Sequence, residues 1–253
     1  MSVTTVVQTN SRGNRRARSK YTPPADTQTV RLSDALRGTG RFPEEKQFSL
    51  IKASKQDEER KDISIHYAGD ISLLQRPCVA IVGTRQVSEA GEKRARRLAR
   101  ELANRGVVVV SGLAAGVDYQ SHMSAIHASG HTIGVIGTPL DKAYPSENAP
   151  LQELIYKEHL LISQFDLGER TFKSSFPQRN KLMAAICDAT VVIEAGESSG
   201  TLHQAAECTR LQRWLFIARS VVEDAELTWP SRFLQYDTTV PLDSVEDITS
   251  RII

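Results

Sequence analysis

The sequence predicts an α/β protein: a doubly wound, mainly parallel sheet with helices on both faces. Three observations predict it. Short continuous apolar runs recur from Cys78 onward, the pattern of strands buried on both faces. Segments with helical apolar spacing lie between them, which is the order of elements in βαβ units. Each run gives way to a loop of glycines, hydroxyls and charged residues, and ligands of such folds sit beyond the carboxyl ends of the strands.

Taken in order, residues 1–28 form an expected disordered basic arm. They are poor in large apolar residues, Pro23 and Pro24 break any helix, and Arg12, Arg15, Arg16, Arg18 and Lys20 have no acidic neighbour there. Such an arm suits either phosphate contact or plain solvation. Residues 29–62 read as a small N-terminal extension, with a short helical pattern from Ser33 to Arg37 and a charged run from Lys55 to Asp62. Residues 63–67 alternate and predict an edge strand, and the core is placed at 63–220.

Core strands are expected at 79–82, 107–110, 132–136, 160–163, 190–194 and 214–218. The first helix begins near Ser88. Ala95, Leu98, Ala99 and Leu102 share its apolar face, Arg94, Arg96, Arg97 and Arg100 lie off it, and Gly106 closes it. Further helices are expected at about 119–128, 149–158, 178–187 and 201–211. Beyond Ser220 the pattern weakens, Pro230 and Pro241 punctuate it, and Ser244 opens a capped final helix. Residues 221–253 are thus a C-terminal segment packed on the core.

Composition excludes several classes. At 253 residues, with 40% hydrophobic and 25% charged residues, the chain has the make-up of a globular protein with a substantial core. The net charge of +2 excludes a polycation, so any nucleic-acid affinity must come from local patches. Cys78, Cys187 and Cys208 are isolated in apolar surroundings, which suits a reducing cytoplasm and small core hydrophobes rather than a disulfide framework. No N-terminal run resembles a signal peptide and no stretch has the length to span a bilayer, so no membrane partner is expected.

The loops carry the functional signal. No G-x-G-x-x-G follows the first strand and the second ends in Ser111-Gly112 without a carboxylate, which argues against NAD and FAD. No ATP-type P-loop is present, and no cofactor or metal is expected. Instead the strands end in Gly83-Thr84-Arg85, in Ser111-Gly112 running on to Asp118, in residues 137–148, and in residues 194–201; Phe176 to Lys181 precede the fifth strand. Glycines admit a ligand to the backbone, hydroxyls and free helix-start amides hold phosphate oxygens, and Arg85, Arg179 and Lys181 add charge-assisted bonds. Several such loops on one sheet edge predict an anion site.

The segments V-A-I-V-G-T-R, V-V-S-G-L-A-A-G-V-D-x-x-x-H, T-I-G-V-I-G-T-P-L-D-x-x-Y-P-x-x-N, F-P-x-R-N-K and V-V-I-E-A-x-x-x-S-G-T-L together resemble the DNA-processing protein A family (DprA/Smf), from about Ile63 to Leu215. The resemblance implies an extended Rossmann-like core that binds single-stranded DNA without catalysis, forms a homodimer and loads a RecA-type recombinase during natural transformation or recombination. It implies that Arg85, Ser111, Gly112, Arg179, Asn180, Lys181, Ser199, Gly200 and Thr201 line the DNA-binding pocket. The loop reading adds Gly83 and Thr84. Four features depart from the pattern. An N-terminal helical domain would be short and basic here, and a C-terminal winged-helix-like domain is not expected. Arg219-Ser220 replaces the usual proline-glycine, and Lys181 stands where arginine is common.

Individual residues admit a second reading. Arg85 suits a phosphate clamp or a surface salt bridge. Phe176 suits a base-stacking ring or a core anchor. Cations at Arg179 and Lys181, if they open a helix, oppose its dipole unless an anion lies between them. Asp118 and His122, four apart, suit a helix cap bonded to a histidine better than a metal or acid–base pair, because no third ligand is in sight. Glu194 is expected to accept loop N–H bonds, and Glu197 to point outward. The alternative function is a nucleotide phosphoribohydrolase resembling the lysine-decarboxylase-like enzymes, with Glu207 or Glu194 as the acid; Gln204 stands where their glutamate would be. A small-nucleotide sensor is the third reading.

Overall fold

The computed structural model describes residues 21–41 and 62–253. The basic side chains from Arg12 to Lys20, and the charged run up to residue 61, lie outside the described residues.

Nine strands form one sheet. They are β1 (Gln28–Arg31), β2 (Ser64–Gly69), β3 (Cys78–Gly83), β4 (Val108–Ser111), β5 (Thr132–Ile136), β6 (Leu160–Ser163), β7 (Ala189–Glu194), β8 (Trp214–Ala218) and β9 (Thr239–Leu242). Their order is β1-β2-β6-β5-β4-β3-β7-β8-β9. The run from β6 to β9 is parallel, and β1 and β2 are antiparallel additions at one side. The chain starts the parallel sheet at β3, builds outward through β4, β5 and β6, then returns to add β7, β8 and β9 on the other flank. The crevice between the ends of β3 and β7 is therefore the topological switch point, where such folds hold ligands.

Two expectations about the sheet's margins are corrected. The strand at Ser64–Gly69 is not an edge: Gln28–Arg31 pairs outside it, with Gln28 opposite Tyr67. The tail after Ser220 supplies a further strand, β9, whose Pro241 is tolerated because β9 lies at the sheet's margin.

The helices are α1 (Leu32–Ala35), α2 (Glu89–Asn104), α3 (Val117–His127), α4 (Ala149–Glu158), α5 (Ser175–Ile186), α6 (Thr201–Arg210), α7 (Arg219–Val222), α8 (Trp229–Phe233) and α9 (Val245–Ile252). Alternate strand residues feed opposite cores. Val79, Ile81, Val109 and Val191 pack with α2 and α9, whereas Ala80, Val82, Val110 and Val192 pack with α5, α6 and α8. Ser88 caps α2 by accepting from the Gly91 N–H at 3.0 Å, and Ala95, Leu98, Ala99 and Leu102 are its buried stripe. A capping box of Ser244 and Asp247 starts α9.

The three cysteines are free and buried in one core, and burial pushes the thiols of Cys78 and Cys208 up to about 11 and about 12. They are unreactive hydrophobes. Arg41 ties the N-terminal strap to the base of the sheet. It is 4% exposed, donates to the carbonyls of Ile186, Leu74 and Arg76, and lies 3.5 Å from Asp188.

Candidate nucleic-acid interface

The loops after β3 and β7, the N-terminal part of α5 and the first turn of α6 enclose a cleft of about 580 Å³ at the switch point. Gly83, Thr84 and Arg85 form one wall, Phe176, Arg179 and Asn180 a second, and Ser199, Gly200 and Thr201 a third. Backbone bonding sets this convergence: the Thr84 N–H donates to the Glu194 carbonyl at 2.8 Å, holding the β3 loop against the end of β7. Gly116 has φ +76°, and a Cβ there would meet the Thr84 carbonyl oxygen at 2.4 Å, so glycine lets α3 start directly beneath that loop.

Arg179 is the floor. It is 6% exposed, and its Nη1 donates to the carbonyls of Gly112 and Val135, while Nε donates to Asn180 Oδ1 at 2.9 Å. A Cβ on residue 112 would lie 1.9 Å from that Nη1, so Gly112 is the space the guanidinium occupies. Burial lowers the Arg179 pKa, nearby Asp118 raises it, and the charge of Arg85 lowers it again. Two cations thus face one cleft. Arg85 is exposed, with its guanidinium carbon 5.9 Å from the Phe176 ring centroid, and no carboxylate pairs with it among the described residues. The salt-bridge reading of Arg85 falls. An anion between the two arginines would relieve their repulsion.

The third wall is backbone. The start of α6 has Gly200 at its N-cap, the Thr201 N–H donates to Ser199 Oγ at 3.2 Å, and Asn180 Nδ2 donates to the Gly200 carbonyl at 3.2 Å. That leaves the α6 N-terminus facing the cleft, with Ser199 and Thr201 hydroxyls beside it.

Three of the expected residues stand outside the cleft wall. Ser111 is fully buried, its hydroxyl donating to the Ile81 carbonyl at 2.7 Å, and Gly112 lies beneath Arg179. Lys181 is exposed on α5 away from the wall. Because α5 begins at Ser175 rather than near Gln178, Arg179 sits in its second turn and does not open the helix. The helix-dipole argument for an anion there loses its premise. Sequence reasoning missed Gln86 and Gln204 on the wall and took in Gly196 and Ser198 only as part of the 194–201 loop; Gln204 follows Thr201 by one helical turn, a spacing that places it on the same face.

Asp118 and His122 do not bond to each other, contrary to expectation. Asp118 accepts from the amides of Gly112 at 3.1 Å and Ala114 at 3.4 Å, and Gly116 rather than Asp118 is the helix N-cap. Burial raises the Asp118 pKa, with Arg179 pulling it back. His122 Nδ1 lies 2.7 Å from Thr132 Oγ1, whose own proton goes to the Val109 carbonyl. The proton in the first contact is therefore on His122 Nδ1, and the buried Nε2 carries a bare lone pair without a partner.

The acids take structural positions. Glu194 accepts from Ser88 N and Oγ, as the loop reading requires. Glu197 turns away to accept from Thr228 and Trp229 at the start of α8. Glu207 is buried against Arg210, which holds both its oxygens. Asp118, already bonded to two amides, is the carboxylate on the cleft wall. Among the described residues no group of three or more His, Cys, Asp or Glu is placed to hold a metal ion, and no helix is long and apolar enough to cross a membrane.

Residues 42–252 match the family model for DNA recombination-mediator protein A. The chain is 42% identical over 140 residues to the DNA processing protein DprA of Streptococcus pneumoniae, covering 55% of this chain and 49% of that protein. It is 33% identical over 181 residues to DprA of Bacillus subtilis, covering 71% of this chain and 61% of that one. It therefore spans about half the length of the curated relatives it matches. The X-ray structure of the Streptococcus pneumoniae protein superposes with a TM-score of 0.69 at 34% identity, over 75% of this chain and 66% of that one. DNA processing protein A of Helicobacter pylori, solved for its unique single-stranded DNA binding mode, superposes with a TM-score of 0.67 at 26% identity, over 88% and 94%.

Proposed function

The chain belongs to the DNA recombination-mediator protein A family, and from that premise we propose that its switch-point cleft holds the sugar-phosphate backbone of single-stranded DNA. One observation carries the reading: Arg85, Arg179, Asn180, Ser199, Gly200 and Thr201, from three separate segments, meet on one cleft, where the Arg85 guanidinium has no carboxylate partner among the described residues and its charge bears on Arg179. Phosphates fit between the arginines, beside the Ser199 and Thr201 hydroxyls at the positive end of α6. A Cβ at Gly200 would meet nothing within 4 Å, so that wall is low and leaves room for a backbone to pass. The Phe176 ring at the cleft mouth offers a face to a base.

The cleft acts by holding, not by bond cleavage. The hydrolase reading needs a free carboxylate, and Glu207 and Glu194 are engaged elsewhere. In the wider reading, 63–220 is the binding core with 29–62 and 221–253 as flanks. The bound strand is passed to a RecA-type recombinase in transformation or recombination, and two copies of the chain act together.

The test is a fluorescence anisotropy titration with single- and double-stranded oligonucleotides at two salt concentrations. Tight, salt-weakened binding of the single strand, with weak competition by mononucleotides, supports the reading. Preference for the duplex, or equal competition by a mononucleotide, overturns it, the latter in favour of a nucleotide sensor. Release of free base from a nucleoside monophosphate, lost in Glu207→Gln, would restore the enzyme. Sedimentation of the full chain as a monomer would remove the paired arrangement.

A further inference from the structure

The loops after β5 and β6 carry a surface of a second kind, which the cleft does not use. Tyr144 is 49% exposed and Phe172 is 53% exposed. Single exposed rings are common on proteins, but each of these two adjoins a further ring or a guanidinium group. The Tyr144 ring lies against Phe176, centroids 5.2 Å apart, and Arg85 lies over the same Phe176. Arg170 places its guanidinium carbon 5.5 Å from the centre of the Phe172 ring. Phe176 and Arg85 are also on the cleft wall, so Tyr144 adjoins the cleft, and Phe172 precedes Phe176 by four residues on the segment that enters α5.

The loops bearing these rings are fastened together. Lys142 Nζ donates to the Glu169 carbonyl at 2.7 Å, and the Gly168 amide donates to Asp141 Oδ2 at 3.2 Å. The Phe172 amide donates to Ser175 Oγ at 3.1 Å, which fixes that ring relative to α5. Rings held this way lose little freedom on meeting a ligand.

Aromatic faces alternating with guanidinium groups suit a polyanion whose π-faces are free. Unpaired nucleobases have that chemistry, and each base stacks whatever its identity. A duplex keeps its base faces inside its own stack and presents phosphates alone, which rings do not bind.

We propose that Tyr144 and Phe172 form a base-stacking track continuing the cleft, which takes the unpaired bases of the strand just outside the cation pair. The proposal rests on the reading of the cleft as a single-strand site. It assigns the cleft to the backbone and these rings to the bases, so the two contribute differently to binding.

The experiment titrates the full chain with an oligothymidylate and with an abasic oligonucleotide of the same length and charge. The wild type is expected to favour the base-bearing strand by about tenfold or more. The double variant Tyr144→Ser, Phe172→Ser should cut that preference by about tenfold and leave the dependence of affinity on salt unchanged, since no phosphate contact is lost. Tyr144→Phe with Phe172→Trp should restore it, and the new indole should be quenched by the base-bearing strand alone. An undiminished preference in the serine variant overturns the track. Equal binding of both strands by the wild type also overturns it while sparing the cleft, whereas binding of neither removes the cleft reading itself.

Discussion

Acidification should destabilise this fold through His122. The imidazole is fully buried between α3 and β5, with Nδ1 2.7 Å from Thr132 Oγ1. Burial, the chief cause, pushes its pKa from 6.5 down to about 3. A histidine whose pKa is depressed on folding is neutral in the folded protein, while the unfolded chain takes up the proton below 6.5. Stability from this group is complete above pH 6.5 and is lost as pH falls toward 3. At about 1.4 kcal/mol per pH unit, the loss is about 2 kcal/mol at pH 5 and approaches about 5 kcal/mol at pH 3. His159, also lowered by burial, adds in the same sense; Asp118, raised by burial, acts in the opposite one. The informative comparison is therefore urea unfolding of the wild type and His122→Asn between pH 4.5 and 7.5. The asparagine keeps a donor for Thr132 but does not titrate, so its stability should fall less steeply with acid, the two curves converging by about 2 kcal/mol at pH 5. Parallel curves would refute the burial argument.

Three further outcomes are expected. Arg41→Ala leaves Asp188 and three carbonyls without their partner and should lower stability by about 3–5 kcal/mol, read from the urea midpoint; an unchanged midpoint would show the strap to be dispensable. Gly112→Ala forces the Arg179 guanidinium from its site and frees the Gly112 and Val135 carbonyls. The melting temperature should drop by about 4–8 °C for a loss of about 2 kcal/mol, with weakened single-strand binding. Lys181→Ala should leave affinity within about twofold of the wild type, because that side chain lies off the cleft wall; a tenfold loss would place the strand across α5 instead.

The central strands were legible because burial on both faces leaves a continuous apolar run with abrupt ends. The runs at Thr132–Ile136, Leu160–Ser163 and Trp214–Ala218 carry such ends and form strands over those residues. The margins were not legible. Gln28–Arg31 is polar and mostly exposed, and it is a strand only because β2 offers it a free edge. β9 contains a proline that local rules count against a strand, and its place at the margin removes the objection.

The cleft divides in the same way. Small polar loops at strand ends were visible as residue types, and the topology brings them together. Which way each side chain points was not visible. Arg179 and Lys181 are two residues apart, about 200° around a helix, so one is buried under the cleft and the other stands in solvent. The Ser175 start of α5 fixes that phase, and Phe176-Pro177 had the look of a loop, although proline is tolerated in a helix's first turn. The pairing of His122 with Thr132 depends on α3 lying over β5, a contact no local pattern encodes.

The most direct measurement of the cleft's role is the slope of log affinity against log salt for a single-stranded oligonucleotide, in the wild type and in Arg85→Ala. Each phosphate neutralised on a single strand contributes about 0.7 to that slope. Arg85 is exposed and lacks a carboxylate partner among the described residues, so its removal should weaken binding while leaving the fold intact, and should flatten the slope by about 0.7. A slope and affinity equal to those of the wild type would contradict the assignment of this cleft to a DNA backbone.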